Sequence, residues 1–150
     1  KPQDLNEATR EVLAMLTGEL ERHSVHVELE LANNLPLVKG IRIQLQQVIL
    51  NLVRNAWEAM ADVHDRRRQL AIRTELGSDD HVRVSVRDAG QGIDSQAMQQ
   101  IFEAFYSTKL AGMGVGLSVS RSIIERHNGR LWAEPNQPHG ARFLFSIPAV

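Results

Sequence analysis

Cysteine is absent from this chain of 150 residues. That excludes a disulfide framework, a thiolate metal site and a thiol nucleophile. No apolar run approaches the ~18 residues of a membrane-spanning helix. The opening Lys1-Pro2-Gln3-Asp4 has none of the features of a secretory signal. Neither sign of charge dominates, since 17 Lys and Arg stand against 18 Asp and Glu, a formal net charge of −1. Such a chain has no electrostatic footprint for nucleic acid or an anionic lipid surface, so neither a nucleic-acid partner nor direct membrane contact is expected. Any bound phosphate must be held by local arrangement rather than bulk charge. The sequence also starts without Met, and it is expected to be a piece of a longer, cytoplasmic protein.

What is present suits one domain over residues 1–150 with a core of its own. Asn6 is a candidate N-cap for a first helix whose apolar face is Val12, Leu13, Leu16 and Leu20. Val25, Val27, Leu29 and Leu31 alternate as in a half-buried strand. A longer helix is predicted from Ile41 to Val63, with Leu45, Val48, Ile49, Leu52, Ala56 and Met60 on its apolar side. Leu70 to Leu76 and Val82 to Val86 alternate on either side of Gly77-Ser78-Asp79-Asp80, which reads as a hairpin. A short helix around Ser95 to Ile101 is expected next, then a glycine-rich stretch. A third long helix is stopped by Asn128-Gly129, and strands follow at Arg130 to Ala133 and Ala141 to Ile147. This order predicts an α/β two-layer sandwich: a mostly antiparallel mixed sheet with helices packed on one face.

Three groups of residues stand out chemically. The second helix carries a polar stripe, Gln44, Gln47, Asn51, Asn55 and Glu58, at three- and four-residue spacing. Asn is a poor helix former, so two of them one turn apart are either a solvated face or amide oxygens turned toward a ligand or metal. A neutral amide oxygen is a suitable hard ligand for Mg²⁺ when phosphates supply the negative charge. Next, Asp88 in Asp88-Ala89-Gly90-Gln91-Gly92 continues the parity of Val82, Val84 and Val86, which turns its carboxylate toward the core. It either caps the following turn or accepts from a ligand amine, with Gly90 and Gly92 letting the ligand pass close to the backbone. The last group is Gly112-Met113-Gly114-Val115-Gly116-Leu117, directly before a helix, where converging backbone N–H groups and the helix dipole suit phosphate. It is neither a Walker loop nor a dinucleotide fingerprint. Lys109 upstream is either a solvated loop lysine or a neutraliser of phosphate charge.

In order and spacing these groups resemble the nucleotide-binding boxes of the gyrase, heat-shock-ninety, histidine-kinase and mismatch-repair ATPase superfamily. Gln47 to Met60 looks like the N box, Asp88 to Gly92 like the first glycine box, Phe102 to Phe105 like the F box and Gly112 to Leu117 like the second glycine box. The likeness extends from Asp4-Leu5-Asn6-Glu7 to Gly140-Ala141-Arg142-Phe143. It implies ATP and Mg²⁺ as cofactors, with Asn55 on the metal and Asn51 near the phosphates. It also implies Asp88 on the adenine amino group and Gly90, Gly92 and Ile93 around the adenine pocket. Thr108, Lys109, Gly112, Met113, Gly114, Val115, Gly116 and Leu117 would lie around the phosphates, and Phe102 and Phe105 would anchor a lid. Asn51, Asn55 and Lys109 would be the catalytic set. Relatives often carry Lys or Arg where Glu58 stands. Arg54 either compensates for that or faces a partner domain.

ATP-hydrolysing relatives, like the serine-phosphorylating anti-sigma kinases, carry Glu where Asn51 stands. Water and serine need a general base, and a carboxamide cannot take a proton. A neutral histidine needs less help, so Asn51 favours a histidine kinase. Phe102 to Trp132, with Ser-Thr-Lys followed closely by glycines, is similar to the kinases related to the rhizobial oxygen sensors and the aromatic-hydrocarbon sensors. None of the six histidines sits in the phosphoacceptor motif of these kinases, His followed by Glu or Asp in a helical hairpin. His23-x-x-His26 lacks a third metal ligand. The expected activity is therefore transfer of the γ-phosphoryl group of ATP to a histidine on a separate dimerisation domain. A response regulator would act downstream, and no autophosphorylation by this chain alone is expected. The rival readings are an ATP-hydrolysing member of the superfamily and a degenerate nucleotide-binding or protein-interaction module.

Overall fold

The computed structural model describes residues 1–90, 92, 113–136 and 139–150, with residues 113–115 as backbone only. The elements, in chain order, are β1 (Pro2–Gln3), α1 (Leu5–Met15), α2 (Thr17–Arg22), β2 (His26–Glu30), β3 (Val38–Lys39), α3 (Arg42–Ala59), β4 (Gln69–Leu76) and β5 (His81–Arg87). They continue with α4 (Met113–Arg126), β6 (Arg130–Pro135) and β7 (Ala141–Pro148). The expected short helix at Ser95 to Ile101 and the F box lie outside the described residues.

Five strands form one sheet in the order β2-β4-β5-β7-β6, and β1 pairs separately with β3. Among the described residues β2–β4 is the one parallel pair; β4–β5, β5–β7 and β6–β7 are antiparallel. The expected mixed, mostly antiparallel sheet is what forms. Alternation puts Leu70 and Ile72 of β4, Val82, Val84 and Val86 of β5, and Phe143, Phe145 and Ile147 of β7 into the core. The register sets Val82 opposite Ile147, Val84 opposite Phe145 and Val86 opposite Phe143, so large and small side chains share each level. Helices α1, α3 and α4 supply the other half of this core through Leu5, Val12, Leu45, Ile49, Leu52 and Ile124. Each such side chain is almost fully removed from water, worth roughly 1.5–3 kcal/mol apiece.

Three local expectations are corrected. Asn6 is not the cap of α1. Asp4 is, its Oδ1 accepting from the N–H groups of Asn6 and Glu7 at 2.9 and 3.3 Å. Asn6 is buried instead, donating Nδ2 to Ala32 O at 2.8 Å and accepting from Thr74 Oγ1 at 2.7 Å. A cap must face the solvent end of the helix, and Asn6 is drawn inward by two polar groups that need partners. The first helix is also broken in two at Leu16. Just beyond the break, Thr17 Oγ1 donates to the carbonyls of Leu13 and Ala14, which competes with the helical ladder.

Helix α3 ends at Ala59 rather than near Val63. Beyond it Arg68 donates to the carbonyls of Ala61, Val63 and His23, holding a turn where a helix was predicted. The start of α3 has no capping side chain of its own. His127 Nε2, from the end of α4, accepts from Ile41 N at 3.1 Å, so α3 and α4 lie antiparallel with their opposite ends joined. The stop at Asn128-Gly129 is as expected, with Asn128 in the left-handed region at φ +63°.

Candidate functional site

Asp88 follows the last residue of β5 and is 3% exposed, on the helix-covered side that its parity predicted. Its backbone extends the ladder by one step, N–H to Ala141 O at 3.0 Å. Its Oδ1 accepts from Gly90 N at 2.8 Å and Ala141 N at 3.2 Å. The turn-capping role is therefore present. It does not exclude the ligand role, since a carboxylate offers about four acceptor sites.

The glycines around Asp88 are required by close packing. Gly140 has φ +92°, and a Cβ there would stand 2.1 Å from Asp88 O. A Cβ on Gly90 would stand 2.5 Å from Ala59 O, at the end of α3. A side chain at Gly90 would therefore meet the end of α3. Gly92 has φ +83°, so its role is conformational.

Helix α3 presents the carboxamides. Asn51 donates Nδ2 to Ser120 Oγ at 3.0 Å and more loosely to Gly116 O at 3.4 Å, both on α4. Ser120 is fully buried, so this is a fixed link between the helices. Asn55, one turn on, is half-buried and makes no side-chain hydrogen bond among the described residues. Glu58 is half-buried, and its Oε1 has no hydrogen-bond partner among the described residues. Burial pushes its carboxyl above the ordinary carboxylate range, opposed by the charges of Arg54 and His23. His23 itself stacks on Trp57 at 5.5 Å between ring centroids. Glu58 thus lies toward α2, apart from the Asn51–Ser120 contact.

The second glycine box begins α4 rather than preceding it. Met113, Gly114, Val115 and Gly116 form its first turn and Leu117 is buried just behind. The first four N–H groups of a helix have no intrahelical partner, so this box offers four donors in a row along with the helix dipole. Gln91, Ile93, Thr108, Lys109 and Gly112 lie outside the described residues. Among the described residues no group of three or more His, Cys, Asp or Glu is gathered that could hold a metal ion, His23 and His26 included. No described helix is long and apolar enough to cross a membrane.

Sequence reading missed two side chains that hold the Asp88 turn. Arg66 donates Nε to Ala89 O at 2.9 Å and Nη2 to Gly90 O at 3.0 Å. Asn136 donates Nδ2 to Asp88 O at 3.0 Å. The first sits in a charged loop and the second in a proline-flanked turn, and nothing in their spacing marks either one.

A helix layer on a mixed five-stranded sheet, a buried carboxylate past β5, carboxamides on α3 and a glycine-rich start to α4 are the features expected of an ATP-binding α/β sandwich. Residues 40–150 match the family described as "Histidine kinase-, DNA gyrase B-, and HSP90-like ATPase". The chain belongs to that family, and within it to the catalytic domains of histidine kinases. The catalytic domain of histidine kinase ThkA, in a nucleotide-free form, is 33% identical with a TM-score of 0.87, over 99% of this chain and 95% of that one. Another structure holds ThkA in complex with response regulator protein TrrA, with 32% identity, a TM-score of 0.83, and coverage of 100% and 42%. Sensor protein FixL of Bradyrhizobium diazoefficiens is 42% identical over 99% of this chain, and Sensor protein TdiS of Thauera aromatica 36% identical over 98%. The chain spans 29% and 27% of those two relatives, under a third of each.

Proposed function

We propose that residues 1–150 are a single catalytic unit of a longer cytoplasmic kinase. It binds ATP with Mg²⁺ and passes the γ-phosphoryl group to a histidine on that kinase's separate helical dimerisation domain. The phosphoryl group then moves to a response regulator. The reading of a kinase rather than an ATP hydrolase rests on Asn51. At the position where hydrolysing relatives resemble one another in carrying Glu stands a carboxamide whose amide is committed to Ser120.

Asp88 accepts from the adenine amino group, held for it by Gly90 and Ala141 N–H. The N–H groups of Met113 to Gly116, which a helix start leaves without intrahelical partners, take the phosphates together with Lys109 and Thr108. The donor set fits Mg²⁺: Asn55 offers a neutral, half-buried oxygen, and the nucleotide phosphates supply the negative charge. When bound, the ion neutralises charge on the β- and γ-phosphates. The neutral imidazole nitrogen of the acceptor forms the N–P bond as the bond to the β-phosphate oxygen breaks, and ADP leaves. The attacking nitrogen carries no proton, so no general base is required before attack. The work of this chain is positioning and charge neutralisation.

Calorimetric titration with ATP and ADP, with and without Mg²⁺, tests the binding half. Asp88→Asn should weaken adenine nucleotide binding by at least about tenfold. Incubation with the parent's helical hairpin and labelled ATP tests the transfer half, with phosphohistidine expected. A steady release of inorganic phosphate by the domain alone, at a rate comparable with transfer, would move the assignment to an ATP hydrolase.

A further inference from the structure

At the end of β5 the chain leaves the sheet, and the carbonyls of Asp88, Ala89 and Gly90 need partners from elsewhere. All three are taken by side chains outside the nucleotide boxes. Asn136 Nδ2 donates to Asp88 O, Arg66 Nε to Ala89 O and Arg66 Nη2 to Gly90 O. A peptide unit is a rigid plane, so a hold on one residue's carbonyl fixes the N–H of the next. The unit carrying Ala89 O also carries Gly90 N–H, the group that Asp88 Oδ1 accepts at 2.8 Å. The unit carrying Asp88 O carries Ala89 N–H, which points at Met60 Sδ at 3.4 Å. Both planes after Asp88 are therefore clamped at each end.

Arg66 is suited to this. Its planar fork reaches two successive carbonyls at once, where a lysine presents a single ammonium. Its remaining Nη1 pairs with the exposed Asp65 at 2.8 Å. Arg68, two residues on, provides the contrast. Its donors go to the carbonyls of Val63, His23 and Ala61, none of them in the Asp88 turn.

We propose that Arg66 is a positioning residue for recognition of the nucleotide base, acting through the Ala89–Gly90 peptide plane on the Asp88 carboxylate, with Asn136 fixing the preceding plane. This rests on the reading of Asp88 as the acceptor of the adenine amino group. A carboxylate favours adenine, which presents an amine there, over guanine, which presents a carbonyl oxygen. A loosened carboxylate loses that preference before it loses the phosphate contacts.

The test is the ratio of ADP to GDP affinity, measured by calorimetry with competition for the weaker ligand, on the whole chain. Arg66→Ala should lower the ratio on the order of tenfold, the loss of roughly one charge-assisted hydrogen bond. Arg66→Lys should recover part of it. Arg68→Ala should lower the melting temperature and leave the ratio unchanged. Arg66→Gln, which keeps one donor and the folded loop, takes the place of the Ala variant if that variant does not fold. An unchanged ratio in the Arg66 variants overturns the proposal and leaves Arg66 as a structural staple. Asp88→Asn separates the two failures. If it keeps the wild-type ratio, the reading of Asp88 falls and the role of Arg66 with it; if it loses the ratio while the Arg66 variants keep it, only the role of Arg66 falls.

Discussion

Asn51 and Ser120 stand 69 residues apart in the chain and meet at 3.0 Å, the carboxamide of α3 donating to a fully buried hydroxyl of α4. The contact joins the helix that carries the carboxamides to the helix that opens with the second glycine box, and it makes Asn51 a spacer between the two.

Ser120→Ala should remove the hydroxyl that receives the Asn51 amide. The expected loss is about 1 kcal/mol, seen as a fall of about 2–4 °C in melting temperature for a domain of this size. Phosphotransfer in the complete kinase should fall by more than ATP affinity does, because the change alters spacing rather than removing a contact to the base. Stopped-flow transfer alongside ATP titration checks both.

Gly140→Ala should be more severe. Its Cβ would lie 2.1 Å from Asp88 O, and φ is +92°, so neither position nor backbone tolerates a side chain. Overlap and backbone strain together should cost about 2–4 kcal/mol. Urea unfolding should show the midpoint shift, and ADP binding should weaken along with it because the group displaced is Asp88.

The two candidates for the α1 cap are distinguishable. Asp4→Ala removes the cap and should cost about 1 kcal/mol. Asn6→Ala leaves Ala32 O without its donor and Thr74 Oγ1 without its acceptor, and should cost about 2–3 kcal/mol. Chemical denaturation of both variants checks the order. A larger loss at Asp4 would contradict the burial of Asn6.

Glu58 predicts a pH dependence. Burial raises its carboxyl in the folded chain, so the folded state holds that proton more tightly than the unfolded one. Its contribution favours folding below the ordinary value of 4.5 and is lost as pH rises through the raised value. Glu58→Gln should therefore melt higher than the wild type at neutral pH, with the gap closing as pH falls to about 4. Melting curves across that range settle the sign.

Much of the fold was legible because it is written in local periodicity. The stripe Leu45, Val48, Ile49, Leu52, Ala56 and Met60 is buried as read, and so are Val82, Val84 and Val86, with the carboxylate of Asp88 following them inward. The family likeness could be read from box order alone. Asn6 was interpreted from its neighbours in sequence, whereas its partners are Ala32 and Thr74. The break at Leu16 and the end of α3 lie beside donors close in sequence, Thr17 and Arg68, which an apolar stripe does not register.

By itself, then, the sequence determined the order of the main helices and the five strands of the large sheet, the apolar face of the long helix, and the likeness to a histidine-kinase catalytic domain. These follow from the chain's own repeat of 2.0 or 3.6 residues and from residue types at fixed spacing. Only the tertiary structure decided that β2 runs parallel to β4, that Asn51 is committed to Ser120, and that Arg66 and Asn136 clamp the turn after Asp88. Those partners are 23 to 69 residues apart. A buried carbonyl or amide takes whichever donor or acceptor packing brings to it, and no local repeat encodes that choice.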